Sequence, residues 1–275
     1  STSGTGVLIK NTDDWTNNYA SGGQAGNATF VAREAGTDGN NLQVSTCPNA
    51  AAYEQEGATT VNDATTAVGD TVVVTTSGAA LNVGDIISFS TTAATNDYDD
   101  GEQYRVTNIS TNDVTIVQHP RGTGGLKRAL TDGSNIRRRW KYYDAVDGAP
   151  GTSTYVSERN GANDEIHVVV IDEDGGISGV PGTILETFSK LSKASDAKDP
   201  QGNDNYYPNV IYTKSEYIYW TKHHASGSNW GNAASGTTFT AVNTPTLETM
   251  SGGSNGSTVT TGEIKTAYDK FADSE

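Results

Sequence analysis

The chain has 275 residues, enough for one large domain or two ordinary ones, and carries 18 Lys and Arg against 33 Asp and Glu, a formal charge of −15. That balance argues against general attraction to nucleic acid or anionic membrane, and there is no apolar run of the roughly 18 residues that a membrane-spanning helix needs. The single cysteine, Cys47, excludes an intrachain disulfide framework and is expected to be a small buried thiol. Only 34% of residues are hydrophobic, and the abundance of Gly, Thr, Ser, Asn and Asp suits short strands joined by many turns.

In chain order, residues 1–26 are polar, with one apolar patch at Val7, Leu8 and Ile9, and predict an extended, loop-like opening. The start STSGTG has neither Met nor an apolar signal, and the chain ends within a helical pattern, so a processed product or a piece of a longer protein is expected. ATFVAREAGTDGNNLQVST (28–46) predicts an element, a polar loop and a strand through Leu42 and Val44. From 51 to 137 the texture changes: AVGDTVVVTTSGAALNVGDIISFS and EQYRVTNISTNDVTIV each hold two β-branched runs. Tyr104 with Val106 and Val114 with Ile116 alternate at period 2, which predicts a small antiparallel barrel or sandwich inserted in the chain.

Beyond residue 155, TYVSER and EIHVVVIDED look strand-like, while TILETFSKLS fits a strand or a helical stripe of Ile184, Leu185, Phe188 and Leu191. NYYPNVIYTKS suggests a helical turn before the strand EYIYW (216–220). The last segment predicts a helix: Thr260 and Glu263 form a capping box, and Ile264, Ala267, Tyr268 and Phe271 share one apolar face. The fold class is therefore α+β and β-rich: a mixed sheet core with a few short helices from residues 1–50 and 138–275, plus the inserted 51–137 module.

Four stretches could carry chemistry. DEDGGISGVPG (172–182) lacks the glycine pattern and lysine of a phosphate loop, and its acids would repel one. Counted from Asp172, positions 5 and 12 are Gly176 and Thr183, which excludes an EF-hand. A hydrolase using Asp172 or Asp174 is a remote alternative; the expectation is a D-G turn with Asp172, Glu173 and Asp174 in water. Seven of the 18 cations, Arg121, Lys127, Arg128, Arg137, Arg138, Arg139 and Lys141, fall within 121–141 beside Trp140, Tyr142 and Tyr143. On so acidic a chain this cluster is expected to be solvated or to face a like subunit rather than nucleic acid. Adjacent His223 and His224 cannot share a metal from one face and are expected in a solvated loop, and His167 is expected to be a satisfied or surface imidazole. No metal, cofactor or catalytic residue is expected.

The blocks FVAREAGTDGNNLQV (30–44), EIHVVVIDEDG (165–175), ILETFSKLS (184–192), NYYPNVIYTKSEYIYW (205–220) and GGSNGSTVTTGEIKTAYDKFADSE (252–275), in this order, resemble contractile phage tail sheath proteins of T-even-like myoviruses and their cyanophage relatives. The resemblance covers a little over half of the chain and leaves 51–137 unmatched. It implies a virion structural subunit, with no enzymatic activity, that stacks helically around a tail tube and changes lattice on contraction. It also implies that TILETF returns as a hairpin strand after DEDGG, with Val169, Ile171, Ile184 and Phe188 covering a core. Partners would be other sheath subunits, with tube and baseplate reached through parts outside this chain, in the virion and in the host cytoplasm during assembly. The alternative is a surface adhesin or carbohydrate-binding module, for which Trp230 in HHASGSNWGN is the nominated stacking residue.

Overall fold

A computed structural model describes residues 7, 9–20 and 28–272, with side chains described through residue 269. The elements in chain order are α1 (Thr12–Asn18), β1 (Phe30–Ala32), β2 (Leu42–Cys47), α2 (Ala50–Tyr53), β3 (Glu54–Thr60), β4 (Val72–Val74), β5 (Ile86–Ala93), β6 (Gln103–Ser110), β7 (Asp113–His119) and β8 (Ser134–Arg139). They continue with α3 (Thr154–Ser157), β9 (Glu165–Asp172), β10 (Thr183–Ser192), α4 (Tyr207–Lys214), β11 (Ile218–Trp220), β12 (Thr246–Thr249) and α5 (Thr261–Ala272). The strands form a two-stranded sheet β1-β11, a four-stranded sheet β10-β9-β2-β12 and a six-stranded sheet β3-β8-β5-β6-β7-β4. The chain is thus β-rich α+β.

The four-stranded sheet is covered on both faces, which explains why EIHVVVID is a nearly unbroken apolar run rather than an alternating one. Ile166, Val168 and Val170 join Leu42 and Val44 in the first core, with Tyr207, Val210 and Ile211 of α4, Trp220 and Phe30. Val169 and Ile171 point the other way, into a cluster with Cys47, Ala52, Trp140 and Tyr142. The second core lies within the six-stranded sheet, where Tyr104, Val106, Val114 and Ile116 all face inward as their alternation predicts. That sheet curls until β3 and β4 meet at a Val61–Thr75 bridge, but no barrel closes. All named strand pairs are antiparallel, and among the described residues parallel contacts are confined to the bridges Ala162–Thr238 and Ser192–Tyr206. β8 runs through the expected boundary at 137–138, with Ile136 in the second core and Trp140, just past its end, in the cluster over Val169 and Ile171.

Several local expectations need correction. The opening segment is not all loop: Asn11 Oδ1 accepts the Asp14 N–H at 2.8 Å and starts α1, which buries Trp15. Leu8 and residues 21–26 lie outside the described residues. TYVSER is not a strand, because Ser153 Oγ accepts the Val156 N–H and caps α3. β10 does return antiparallel to β9, but after a longer loop, 173–182, and Ile184 is 39% exposed instead of covering a core. α4 and β11 form as expected. So does α5 with its capping box: Thr260 N–H donates to Glu263 Oε2 at 2.8 Å and Glu263 N–H to Thr260 Oγ1 at 3.3 Å. Its Ile264 and Tyr268 are 46% and 73% exposed; the Phe271 side chain lies outside the described residues.

Candidate subunit-contact patch

Strand alternation divides the basic cluster. On β8, Arg137 and Arg139 share one face and Arg138 the other. Arg137 is buried, pairs with Asp100 and lies 4.7 Å from the centre of the Tyr98 ring. Arg139 pairs with Glu54 and reaches the same Asp100 carboxylate at 3.5 Å. Arg138 is fully buried and spends its guanidinium on backbone carbonyls: Ala51 O at 2.6 Å, Asn243 O at 3.2 Å and Ala52 O at 3.4 Å, with Gln55 Oε1 at 3.3 Å. It fastens the start of the six-stranded sheet to α2 and to the segment before β12.

The remaining four cations differ among themselves. Arg128 pairs with Glu102 at 3.0 Å and donates to Phe89 O and Ser90 O. Lys141 is half-buried over the Tyr142 ring, where burial and then the Arg105 charge lower its pKa. Only Arg121 and Lys127 stand exposed. The expected contact patch of seven cations is therefore not a free surface. Arg137 and Arg138 are structural, and the acids that neutralise Arg128, Arg137 and Arg139 (Glu54, Asp100 and Glu102) are brought in from distant positions that sequence neighbourhood does not reveal.

The acidic turn is corrected at one residue. Asp172 is buried, and its carboxylate accepts the N–H groups of Gly175, Ile177 and Ser178 and the Ser178 hydroxyl. Burial by itself would raise its pKa, but these hydrogen bonds outweigh it and hold the pKa below the ordinary value. Asp172 thus templates the loop, while Glu173 and Asp174 are exposed as expected. Gly175, at φ +84°, takes the left-handed conformation the turn requires.

His223 is not a solvated loop residue. It lies between two tyrosine hydroxyls, with Tyr207 Oη 2.6 Å from Nδ1 and Tyr206 Oη 3.2 Å from Nε2, and burial lowers its pKa to about 4. His167 is satisfied, as expected: Nδ1 accepts the Lys190 N–H at 2.9 Å and Nε2 lies 3.0 Å from Gly148 O. Trp230 packs in the first core at 6% exposure and donates to Thr240 O. Among the described residues, no group of three or more His, Cys, Asp or Glu is placed to hold a metal ion.

Three buried charged residues escaped the sequence reading. Lys193 donates to Pro48 O at 2.6 Å and Asn163 O at 2.7 Å, and burial lowers its pKa to about 8 against the pull of Asp164. Asp164 accepts from Ser153 and Ser192. Asp85 accepts the Asn82 N–H at 2.7 Å, and burial raises its pKa to about 6 although Arg138 opposes the shift. The NVGD step before β5 is a turn signature that could have pointed to Asp85; nothing local marks the other two.

No protein-family model matches the chain, and no curated protein matches its sequence.

Proposed function

We propose that the chain is a structural subunit of a contractile virion tail sheath, the family its sequence resembles. The observation that carries this reading is α5. Every described side chain of this helix is exposed, including the apolar Ile264 and Tyr268. A helix of this length is marginal alone in water, and among the described residues nothing covers its apolar face, so the packing that stabilises it comes from outside them. Such an arm suits a helical polymer, where different patches of identical subunits meet. The resemblance blocks 30–44, 165–175, 184–192 and 205–220 also contribute to one core, as parts of one family domain would.

In this reading the subunits surround a tail tube, connect to the baseplate at one end of the tail and slide from an extended to a contracted lattice. The energy resides in contacts between subunits, and no nucleotide, cofactor, nucleic acid or membrane takes part. The adhesin reading loses its nominated residue, because the Trp230 ring is inside the core. Gold-labelled antibody against this chain is the test on contractile-tailed virions that encode it. Label is expected along the whole tail, extended or contracted. Label confined to fibres or capsid, or none on the virion, overturns the sheath reading.

A further inference from the structure

The sequence contains two Asn-Gly pairs, Asn160–Gly161 and Asn255–Gly256. Such pairs can cyclise, because glycine has no side chain to shield its nitrogen from the neighbouring amide carbon. The two sit in opposite surroundings. The Gly161 N–H donates to Val156 O at 3.0 Å, and a Cβ there would lie 2.6 Å from Ala234 O, so both the nitrogen and the backbone around it are held. Gly256 is exposed, no hydrogen bond holds its N–H among the described residues, and a Cβ added there meets nothing within 4 Å. The Asn255 side chain is also exposed, and its Oδ1 accepts the Thr37 N–H at 3.0 Å. That donor faces the oxygen on which negative charge grows when the amide carbon is attacked.

We propose that Asn255–Gly256 is a site of self-modification through a succinimide, and that Asn160–Gly161 is protected from it. Solvent base removes the Gly256 amide proton, and Gly256 N bonds to Asn255 Cγ. The Cγ–Nδ2 bond breaks, and Nδ2 leaves as ammonia with a proton returned from solvent. Water then opens the ring. Opening at the Asn255 main-chain carbonyl leaves isoaspartate, and opening at Cγ leaves aspartate. One water is consumed and one ammonia released, with no change of oxidation state.

The position gives the reaction a structural consequence. Asn40 Nδ2 donates to Gly253 O at 2.9 Å and Gly253 N–H to Asn40 Oδ1 at 2.8 Å, and the Thr37–Asn255 bond is the next tie outward, just before the segment leading to α5. Isoaspartate lengthens the backbone by one methylene at residue 255 and pulls that tie out of register, which loosens the segment from loop 36–40.

The experiment is peptide mapping of the whole chain after incubation in heavy-oxygen water across a pH series, with hydrogen exchange over residues 36–41. Labelled aspartate and isoaspartate are expected at 255, faster as pH rises. Conversion at 160 is expected to be about tenfold slower or more, because Gly161 must first break a hydrogen bond inside a packed site. Exchange over 36–41 should rise in the aged protein. Gly256→Ala, whose methyl fits but hinders attack, should keep both Asn255 and the fresh exchange pattern. Equal rates at 160 and 255, an unmodified 255, or unchanged exchange after conversion would overturn the proposal.

Discussion

Because Nδ1 of His167 accepts the Lys190 N–H, its proton sits on Nε2, which donates to Gly148 O. A second proton would break the Lys190 bond and charge a ring buried beside Trp140, so burial lowers the pKa from 6.5 to about 4. The neutral ring is the folded form, so its stabilisation is complete above pH 6.5 and is lost as pH falls toward 4. His223 acts in the same direction in the same window. Asp85 acts in the opposite direction: its pKa is raised to about 6, so its burial destabilises at neutral pH and that cost fades as pH drops. From pH 7 to 5, His167 should remove about 2 kcal/mol, the less buried His223 a smaller amount, and Asp85 should return about 1 kcal/mol. Urea midpoints at the two pH values measure the net loss. His167→Gln should be less stable at pH 7 yet lose about 2 kcal/mol less on acidification; an unchanged loss would refute the assignment. Residue faces were legible from period 2 at Tyr104, Val106, Val114 and Ile116, but the same alternation on β8, which turns Arg138 away from Arg137 and Arg139, was hidden inside a run of like charges. The partners of Arg139 were not legible either, because Asp100 and Glu54 meet it only after the six-stranded sheet forms.

Elements with a clear period or a full capping box could be read from sequence, whereas a single capping side chain, as at Asn11 and Ser153, was not enough. β6, β7 and β9 carry the pattern of their buried faces, and α5 carries its capping box. TYVSER looked like a strand from its β-branched and aromatic residues, yet Ser153 caps a helical turn there and is itself held by Asp164. DEDGG was read as a tight turn because four bonds converging on Asp172 from residues 175–178 have no signature beyond an Asp followed by glycines. α5 gives the sharpest test at this scale, since it has the cap without tertiary packing. Thr260→Ala removes the hydroxyl that accepts the Glu263 N–H, a change worth about 1 kcal/mol of helix stability. In a buried helix that loss would be absorbed by packing. Here it should visibly reduce helical circular dichroism while the main thermal transition stays in place. A fall in the main transition instead would mean that α5 is packed on the body in solution.

The six-stranded sheet meets the rest of the molecule along a neck formed by β3 and β8, and the turn residues Asn82, Val83 and Asp85 line a cleft with Ser45, Trp140 and Thr246 beside it. At the neck Glu54 faces Arg139 and Gln55 faces Arg138, and farther out Thr59 and Thr60 pair with Ile136 and Asn135 at the edge of the second core. Gly57, at φ +57°, marks the irregular step between these pairings. The sequence boundaries at 50–51 and 137–138 cut through α2 and β8, and both elements tie the six-stranded sheet to the four-stranded one. Arg138 holds the carbonyls of Ala51 and Ala52, and Ala52 and Trp140 cover Val169 and Ile171 on the far face of the four-stranded sheet. Excision should therefore be made between Glu56 and Arg137, where antiparallel strands bring the ends side by side and about two to four Gly or Ser residues can join them. That deletion removes the second core but keeps the first core, the Trp140 cluster and the Arg138 bonds. Calorimetry should show one cooperative transition for the remainder. Cutting at 50 and 140 instead discards Ala52 and Arg138, exposes the cluster over Val169 and Ile171, and should cost on the order of 3 kcal/mol or more. If the narrower excision also abolishes the transition, the second core supports the first through contacts beyond the neck, and the two are one folding unit.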